Sequence, residues 1–188
     1  EVTDVKLSED GSKFYLTTSE AGAPERHFYS MSVNGGPRTR ITTEPGGHRV
    51  ILSRDDKYLA DVFSYVNRPP EIYTAENKPA TKEDKRTDSP SKDFWEYPWQ
   101  DAPIVQVPAR DGTMIPARFF KPANYRVGGP AVVFVHGAGY LQNVVKSWSS
   151  NYQREYLFHH FLMDHGYMVL DMDYRASSGY GRDWRTAG

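Results

Sequence analysis

Short runs of alternating hydrophobic and polar residues fill the first part of the chain and predict β-hairpins. Residues 7–16 read as a strand, an Asp-centred turn and a second strand, and the same arrangement recurs at 52–60, about 45 residues later. The Asp side chain of such a turn accepts hydrogen bonds from backbone N–H groups two residues on, which closes the turn and sets the register of the hairpin. A second strand pair follows each hairpin, clearly at 26–42 and weakly at 71–74.

Four short strands in about 45 residues is the repeat length of a β-propeller blade. We therefore predict that residues 1–76 form about two blades, with an ordinary antiparallel sheet containing two similar turns as the alternative. Residues 77–92 are polar and charged and contain two prolines, a composition typical of a linker.

A different pattern begins near residue 93. Two alternating segments at 104–107 and 114–120 flank Asp111-Gly112, which is a strong hairpin signal. Residues 131–135 are continuously apolar and are followed by a glycine-rich stretch. This run predicts a strand that is buried on both faces of a parallel sheet.

A helix is predicted between residues 147 and 165, with Gly166 at the position of a C-terminal glycine. Its apolar side would carry Tyr152, Tyr156, Leu157 and Phe161. Another apolar strand follows at 167–172. Because a strand, a crossover helix and a parallel strand form the βαβ unit, we predict an α/β domain for residues 93–188.

Composition narrows the classes of function. The 188 residues are 38% hydrophobic and 25% charged, as in globular proteins. A net charge of −1 gives no sign of a nucleic-acid partner. The lack of cysteine excludes disulfides, zinc–thiolate sites and thiol catalysis, and no His-Glu-x-x-His spacing occurs, so we expect no metal and no cofactor.

Two further features concern the setting of the chain. Its apolar runs are far shorter than the roughly 18 residues that a membrane span requires, so no membrane segment is expected. The chain starts at Glu1 with no initiator Met and no signal sequence, and we expect it to be an internal piece of a longer protein.

A glycine-rich loop follows the apolar strand at 131–135. In open sheets, ligands bind beyond the carboxyl ends of the strands. Glycines let the backbone bring its N–H groups close to a substrate atom, and such donors stabilise the oxyanion that forms when a carbonyl is attacked. The loop therefore predicts an oxyanion site, with a tight turn and a hydrogen-bonded histidine as the alternative. The candidate residues are His136, Gly137, Ala138 and Tyr140.

The order of these segments resembles the prolyl oligopeptidase family of serine peptidases, and most closely the bacterial members of its dipeptidyl peptidase IV and acylaminoacyl-peptidase branches. The most specific part is the His136 loop together with residues 173–181, which resemble the family stretch Asp-x-Arg-Gly-Ser-x-Gly-Tyr-Gly. Here Ala176 stands in place of the usual glycine, a difference that concerns loop geometry more than chemistry.

The resemblance implies the fold class of a partial α/β hydrolase, the N-terminal half of its sheet, preceded by the last blades of a β-propeller. It also implies hydrolysis of short peptides, often near proline, through a Ser, Asp, His triad, and a peptide substrate as the partner. The backbone at Gly137 and Ala138 would supply an oxyanion donor. In the dipeptidyl peptidase IV branch a tyrosine hydroxyl acts from the same place, so a side chain of His136 or Tyr140 stays an alternative donor.

No Gly-x-Ser-x-Gly nucleophile elbow occurs in the chain. Ser177-Ser178-Gly179 lacks the leading glycine and the following helix, and we reject it as a nucleophile. The sequence therefore predicts that the nucleophile, acid and base lie outside this chain and that the chain alone is inactive. Two other functions stay open, an esterase with the same chemistry and a non-catalytic binding protein. The resemblance favours a periplasmic or secreted setting and allows a homo-oligomer of the full-length protein.

Overall fold

The computed structural model describes residues 1–137, 141–148 and 153–188, which fall into two units. The first unit comprises Glu1–Tyr97 and Lys146–Trp148. The second comprises Pro98–Val145 and Ser149–Gly188. The described residues include no helix that is long and apolar enough to cross a bilayer.

The first unit contains two four-stranded antiparallel sheets whose strands follow one another in chain order. The first sheet consists of β1 (Val2–Leu7), β2 (Lys13–Thr18), β3 (His27–Ser32) and β4 (Thr39–Arg40). The second consists of β5 (Val50–Leu52), β6 (Tyr58–Tyr65), β7 (Arg68–Glu76) and β8 (Asp84–Lys85), and α1 (Lys92–Glu96) follows it. Residues 77–92, predicted as a linker, thus include β8 and the buried Thr81.

The two predicted repeat hairpins are confirmed, and the turn carboxylates of Asp10 and Asp55 accept the amides two residues on, as predicted. In the first turn the Ser8 hydroxyl donates to the Asp10 carboxylate at 2.8 Å. In the second turn the Ser53 hydroxyl donates to Asp55, also at 2.8 Å. Each Ser hydroxyl in turn accepts the amide of the residue five positions on, at 2.9 and 3.0 Å. The repeated sequence therefore encodes the same closed turn twice.

The core of the first unit is formed by side chains from both of its sheets. It contains Tyr15, Phe28, Ile41, Leu52 and Leu59. The Tyr15 and Phe28 rings are stacked with their centroids 5.5 Å apart. Because apolar burial is the main driving force of folding, these shared contacts join the two sheets into one unit.

The second unit is built on one mixed sheet in the order β11-β12-β10-β9. Its strands are β9 (Ile104–Pro108), β10 (Met114–Phe120), β11 (Ala131–Val135) and β12 (Met168–Met172), and its helices are α2 (Gln153–Asp164) and α3 (Arg182–Arg185). The predicted hairpin around Asp111 is confirmed, since β9 and β10 pair antiparallel. The β11–β12 pair is parallel, with α2 between the two strands in the chain.

The predicted fold class, a partial α/β hydrolase after the last blades of a β-propeller, was wrong. The described chain is mainly β: two of its three sheets are wholly antiparallel, the third has one parallel pair beside two antiparallel pairs, and helices are few. The antiparallel meanders of the first unit are instead consistent with a propeller blade region. The prediction failed because one strand–helix–strand unit does not determine the rest of a sheet.

Two local predictions in the second unit also differ from the structure. The strand β11 is at the edge of its sheet, with Val133 and Val135 57% and 58% exposed, and is not buried on both faces. The predicted helix exists as α2, but its buried side chains are His159, His160 and Met163. Leu157 and Phe161 are exposed, Tyr156 packs partly against the core, and Tyr152 lies outside the described residues.

Candidate functional site at the end of strand β11

His136 follows the last residue of β11, and its ring is buried. The ring Nδ1 atom is 2.9 Å from the carbonyl oxygen of Gly137. A carbonyl oxygen can only accept, so Nδ1 carries the hydrogen of this bond. The other ring nitrogen, Nε2, is 3.1 Å from Asp173 Oδ1 and 3.1 Å from the Ser177 hydroxyl. The imidazole therefore joins the end of β11 to the segment after β12.

Ser177, His136 and Asp173 are the residue types of a catalytic triad, but their arrangement differs from one. In a triad the serine and the aspartate contact different ring nitrogens of the histidine. Here both contact Nε2, and Ser177 has 0% of its surface exposed. The cluster is therefore a buried structural network, and it does not present a nucleophile to a substrate.

Asp173 holds a second stretch of backbone in place. Its buried carboxylate accepts the amides of Asn143 at 2.7 Å and Val144 at 3.0 Å, and the Tyr180 hydroxyl at 2.7 Å. Burial raises the pKa of Asp173 above its ordinary value of 3.8, against the lowering effect of these hydrogen bonds. The carboxylate thus ties the chain on the far side of the glycine loop to the end of β12.

Tyr174 fixes the peptide groups at the start of the loop. Its ring is stacked on the His136 ring at 4.8 Å, and its hydroxyl is 2.9 Å from the carbonyl oxygens of both His136 and Gly137. In a planar trans peptide the carbonyl and the N–H point in opposite directions. The Gly137 N–H, which shares a peptide group with the His136 carbonyl, therefore points away from the Tyr174 hydroxyl.

The Gly137 amide is an available main-chain donor. Gly137 is exposed, and its N–H makes no hydrogen bond to any residue within 1–137, 141–148 or 153–188. A Cβ built on Gly137 would have no atom of the described neighbours within 4 Å. An oriented N–H that faces open space can donate to a ligand without first breaking a protein hydrogen bond.

The structure thus places two of the four predicted site residues, His136 and Gly137, at the carboxyl end of β11. Ala138 and Tyr140 lie outside the described residues. Sequence reasoning missed Tyr174 as the residue that holds this loop. The only signal for it was its position in the 173–181 stretch that carries the family resemblance.

In the described part of the chain, one group of three potential metal ligands has its ligand atoms within 4.8 Å of one another. It consists of His48, Asp61 and Glu83 of the first unit.

The fold and the site together define a mainly β protein in which two four-stranded meanders precede a mixed sheet with an oriented glycine amide at the end of one strand. No protein-family model matches the chain. Among solved structures, it is similar to the crystal structure of Porphyromonas gingivalis dipeptidyl peptidase 4, with a TM-score of 0.82 and 17% identity. The match covers 100% of this chain and 26% of that one, so the chain spans about a quarter of the length of the protein it matches. At this identity the likeness establishes the fold.

Proposed function

We propose that this chain is part of a dipeptidyl-peptidase-like serine peptidase and that the Gly137 amide is one of its oxyanion donors. The observation that carries the proposal is the exposed Gly137 N–H, held in a fixed direction by the Tyr174 hydroxyl on the same peptide group. The likeness of fold to a dipeptidyl peptidase over the whole of this chain supports the same reaction class.

The chemistry requires a donor that is oriented before the reaction starts. When a serine hydroxyl attacks a peptide carbonyl, the carbonyl oxygen gains negative charge, and a donor already in place stabilises it without reorganisation. The Tyr174 hydroxyl shares its one hydrogen between the His136 and Gly137 carbonyls, and this contact restricts rotation of these peptides. Removing one such donor from a serine peptidase lowers kcat by about 10²–10³-fold.

Ser177 has no part in bond cleavage in this proposal. Its hydroxyl contacts His136, but the residue is wholly buried, and the Asp173 carboxylate shares the same ring nitrogen. We assign Ser177 and Asp173 to positioning the histidine, and through it the loop. We assign no residue of this chain as the attacking serine.

The first prediction tests the donor by replacing Gly137 in the full natural polypeptide that carries these residues. Gly137→Pro removes the N–H, and we expect kcat on a Gly-Pro chromogenic anilide to fall by about 10²–10³-fold with little change in KM. Gly137→Ala keeps the N–H and adds a methyl group that meets no described atom within 4 Å, so it serves as the matched control. We expect the alanine variant to stay within a few-fold of the unsubstituted protein.

Equal activity of the two variants would contradict the role of the amide and leave the reaction class standing. A folded natural polypeptide that cleaves no peptide substrate would contradict the peptidase proposal itself and would favour a binding protein. Thermal unfolding of both variants shows whether either has lost its fold.

A further inference from the structure

Three ionisable side chains meet inside the first unit. His48 lies just before β5, Asp61 is in the middle of β6, and Glu83 comes directly before β8, so separate parts of one sheet supply them. His48 and Asp61 are buried and Glu83 is half-buried. One potential ligand atom from each lies within 4.8 Å of the other two.

We propose that His48, Asp61 and Glu83 bind a first-row divalent cation, with Zn²⁺ as the best fit. An imidazole nitrogen and two carboxylates form a mixed nitrogen and oxygen ligand set that suits Zn²⁺. Ca²⁺ takes six to eight oxygen ligands and Mg²⁺ keeps several waters, and neither matches a small buried set with one imidazole.

The hydrogen bonds of His48 determine which of its ring nitrogens is free to bind a cation. Its Nε2 atom is 2.8 Å from the carbonyl oxygen of Glu44, which can only accept, so Nε2 carries a hydrogen. In the neutral ring, Nδ1 then presents its lone pair to Asp61 Oδ2 at 2.5 Å. Two acceptors at this distance repel each other unless positive charge lies with them, either a proton or a metal ion. A backbone carbonyl on the far nitrogen is also one of the usual partners of a metal-binding histidine.

Glu83 carries the second step, because it brings a second carboxylate close to Asp61. Among the described residues, its buried Oε1 atom has no hydrogen-bond partner. Leaving a buried carboxylate oxygen without a partner is costly, and either a proton shared with Asp61 or a bound cation removes that cost. A cation would do so with both carboxylates ionised.

The charges of these three side chains also favour a bound cation. Burial and then the charge of Asp61 raise the pKa of Glu83 from 4.5 to about 7. Burial alone would lower the pKa of His48, but the hydrogen bond and charge of Asp61 raise it above 6.5. Two carboxylates in one largely buried cluster leave it with excess negative charge when Asp61 and Glu83 are both ionised. One divalent cation neutralises both carboxylates at once.

The second prediction is tested by titrating Zn²⁺ alone into the chelator-treated natural polypeptide at pH 7.5 with calorimetry. We expect one Zn²⁺ per chain and at least tenfold weaker binding in Glu83→Gln, by comparison with the 10–100-fold effect of losing even an outer partner. Glu76→Gln is the matched control, since Glu76 is exposed on β7 of the same sheet and forms an ion pair with Lys78. The Glu76→Gln variant should bind Zn²⁺ with unchanged affinity.

The variant is expected to fold, because burial already disfavours the charge that Glu83→Gln removes. Equal Zn²⁺ affinity in Glu83→Gln and Glu76→Gln would overturn the proposal, and so would the absence of a one-to-one site. If Glu83→Gln does not fold, X-ray absorption of the Zn²⁺-loaded unsubstituted protein decides. A spectrum that shows Zn²⁺ bound by one imidazole and by oxygen ligands at about 2.0–2.2 Å supports the site. A spectrum that shows several imidazole ligands contradicts it.

Discussion

Gly46 and Gly137 are both glycines in loops, but their surroundings differ. Gly46 has φ +151°, and a Cβ on it would lie 2.6 Å from a Phe63 ring carbon and 2.6 Å from the Ser64 carbonyl oxygen. Among the described residues, nothing lies within 4 Å of the position that a Gly137 side chain would take. At the first position glycine is needed for packing, and at the second it leaves a backbone donor accessible.

The third prediction follows from the close contacts of Gly46. We expect Gly46→Ala to lower the free energy of unfolding by about 1–3 kcal/mol, because the added methyl group overlaps the Phe63 ring and the Ser64 carbonyl oxygen. Gly112→Ala is the control for backbone strain alone, since Gly112 has φ +83° and no described atom lies within 4 Å of its Cβ position. Urea unfolding measures both, and a smaller loss in Gly46→Ala than in Gly112→Ala would contradict the packing argument.

Among the helices and strands, α2 shows best how an element acquires a polar buried face. His160 Nδ1 is 3.0 Å from the Tyr156 carbonyl oxygen, so this nitrogen carries a hydrogen, and Nε2 accepts the Gln100 amide at 2.9 Å. Phe120 packs against the His160 ring at 5.4 Å. Burial lowers the pKa of His160 below 6.5, because the charged ring would lose both its hydration and its acceptor nitrogen.

The fourth prediction concerns the pH dependence of stability that His160 causes. A histidine whose pKa is lowered in the folded state binds fewer protons there than in the unfolded state, so its contribution is present above pH 6.5 and is lost as the pH falls below it. We expect His160→Gln to show a smaller loss of Tm between pH 7 and pH 5 than the unsubstituted protein. His165→Gln, at an exposed position just after α2, should leave that loss unchanged.

The success of prediction from sequence depended on how local the determining contacts are. The repeat hairpins were predictable because Ser8 and Asp10 close their turn within a few residues. The buried face of α2 and the edge position of β11 were not, since both depend on which strands pair in the sheet. The His48–Asp61–Glu83 group joins residues far apart in the chain, so no sequence motif indicated it. Half of the predicted glycine-loop site lies outside the described residues.

On the scale of the whole molecule, the edge strand β11 leaves apolar side chains on the surface. Val133 and Val135 are both more than half exposed, and within the described residues β11 pairs only with β12. Unpaired strand edges with apolar side chains promote association between chains, and a net charge of −1 provides little repulsion against it. The 188-residue chain is therefore expected to associate through β11.

The fifth prediction places a charge on that edge. We expect Val133→Lys to slow the association of the 188-residue chain, measured by light scattering at increasing concentration, because lysine on an edge strand opposes pairing. Val127→Lys changes the net charge equally at a fully exposed position outside the strands, with 102% relative exposure, and is the matched control. Both variants bring the net charge from −1 to 0, which cannot itself slow association. Equal slowing by both variants would therefore contradict a specific role of the strand edge.

The short segment Lys146–Trp148 belongs to the first unit although the chain on both sides of it belongs to the second. Its Lys146 amide donates to the Pro24 carbonyl at 2.8 Å, and its Trp148 amide donates to the Ser64 hydroxyl at 3.1 Å. During synthesis on the ribosome, residues 1–97 emerge about fifty residues before this segment does. The Pro24 carbonyl and the Ser64 hydroxyl therefore cannot accept these two hydrogen bonds until residues 98–145 of the second unit have been translated.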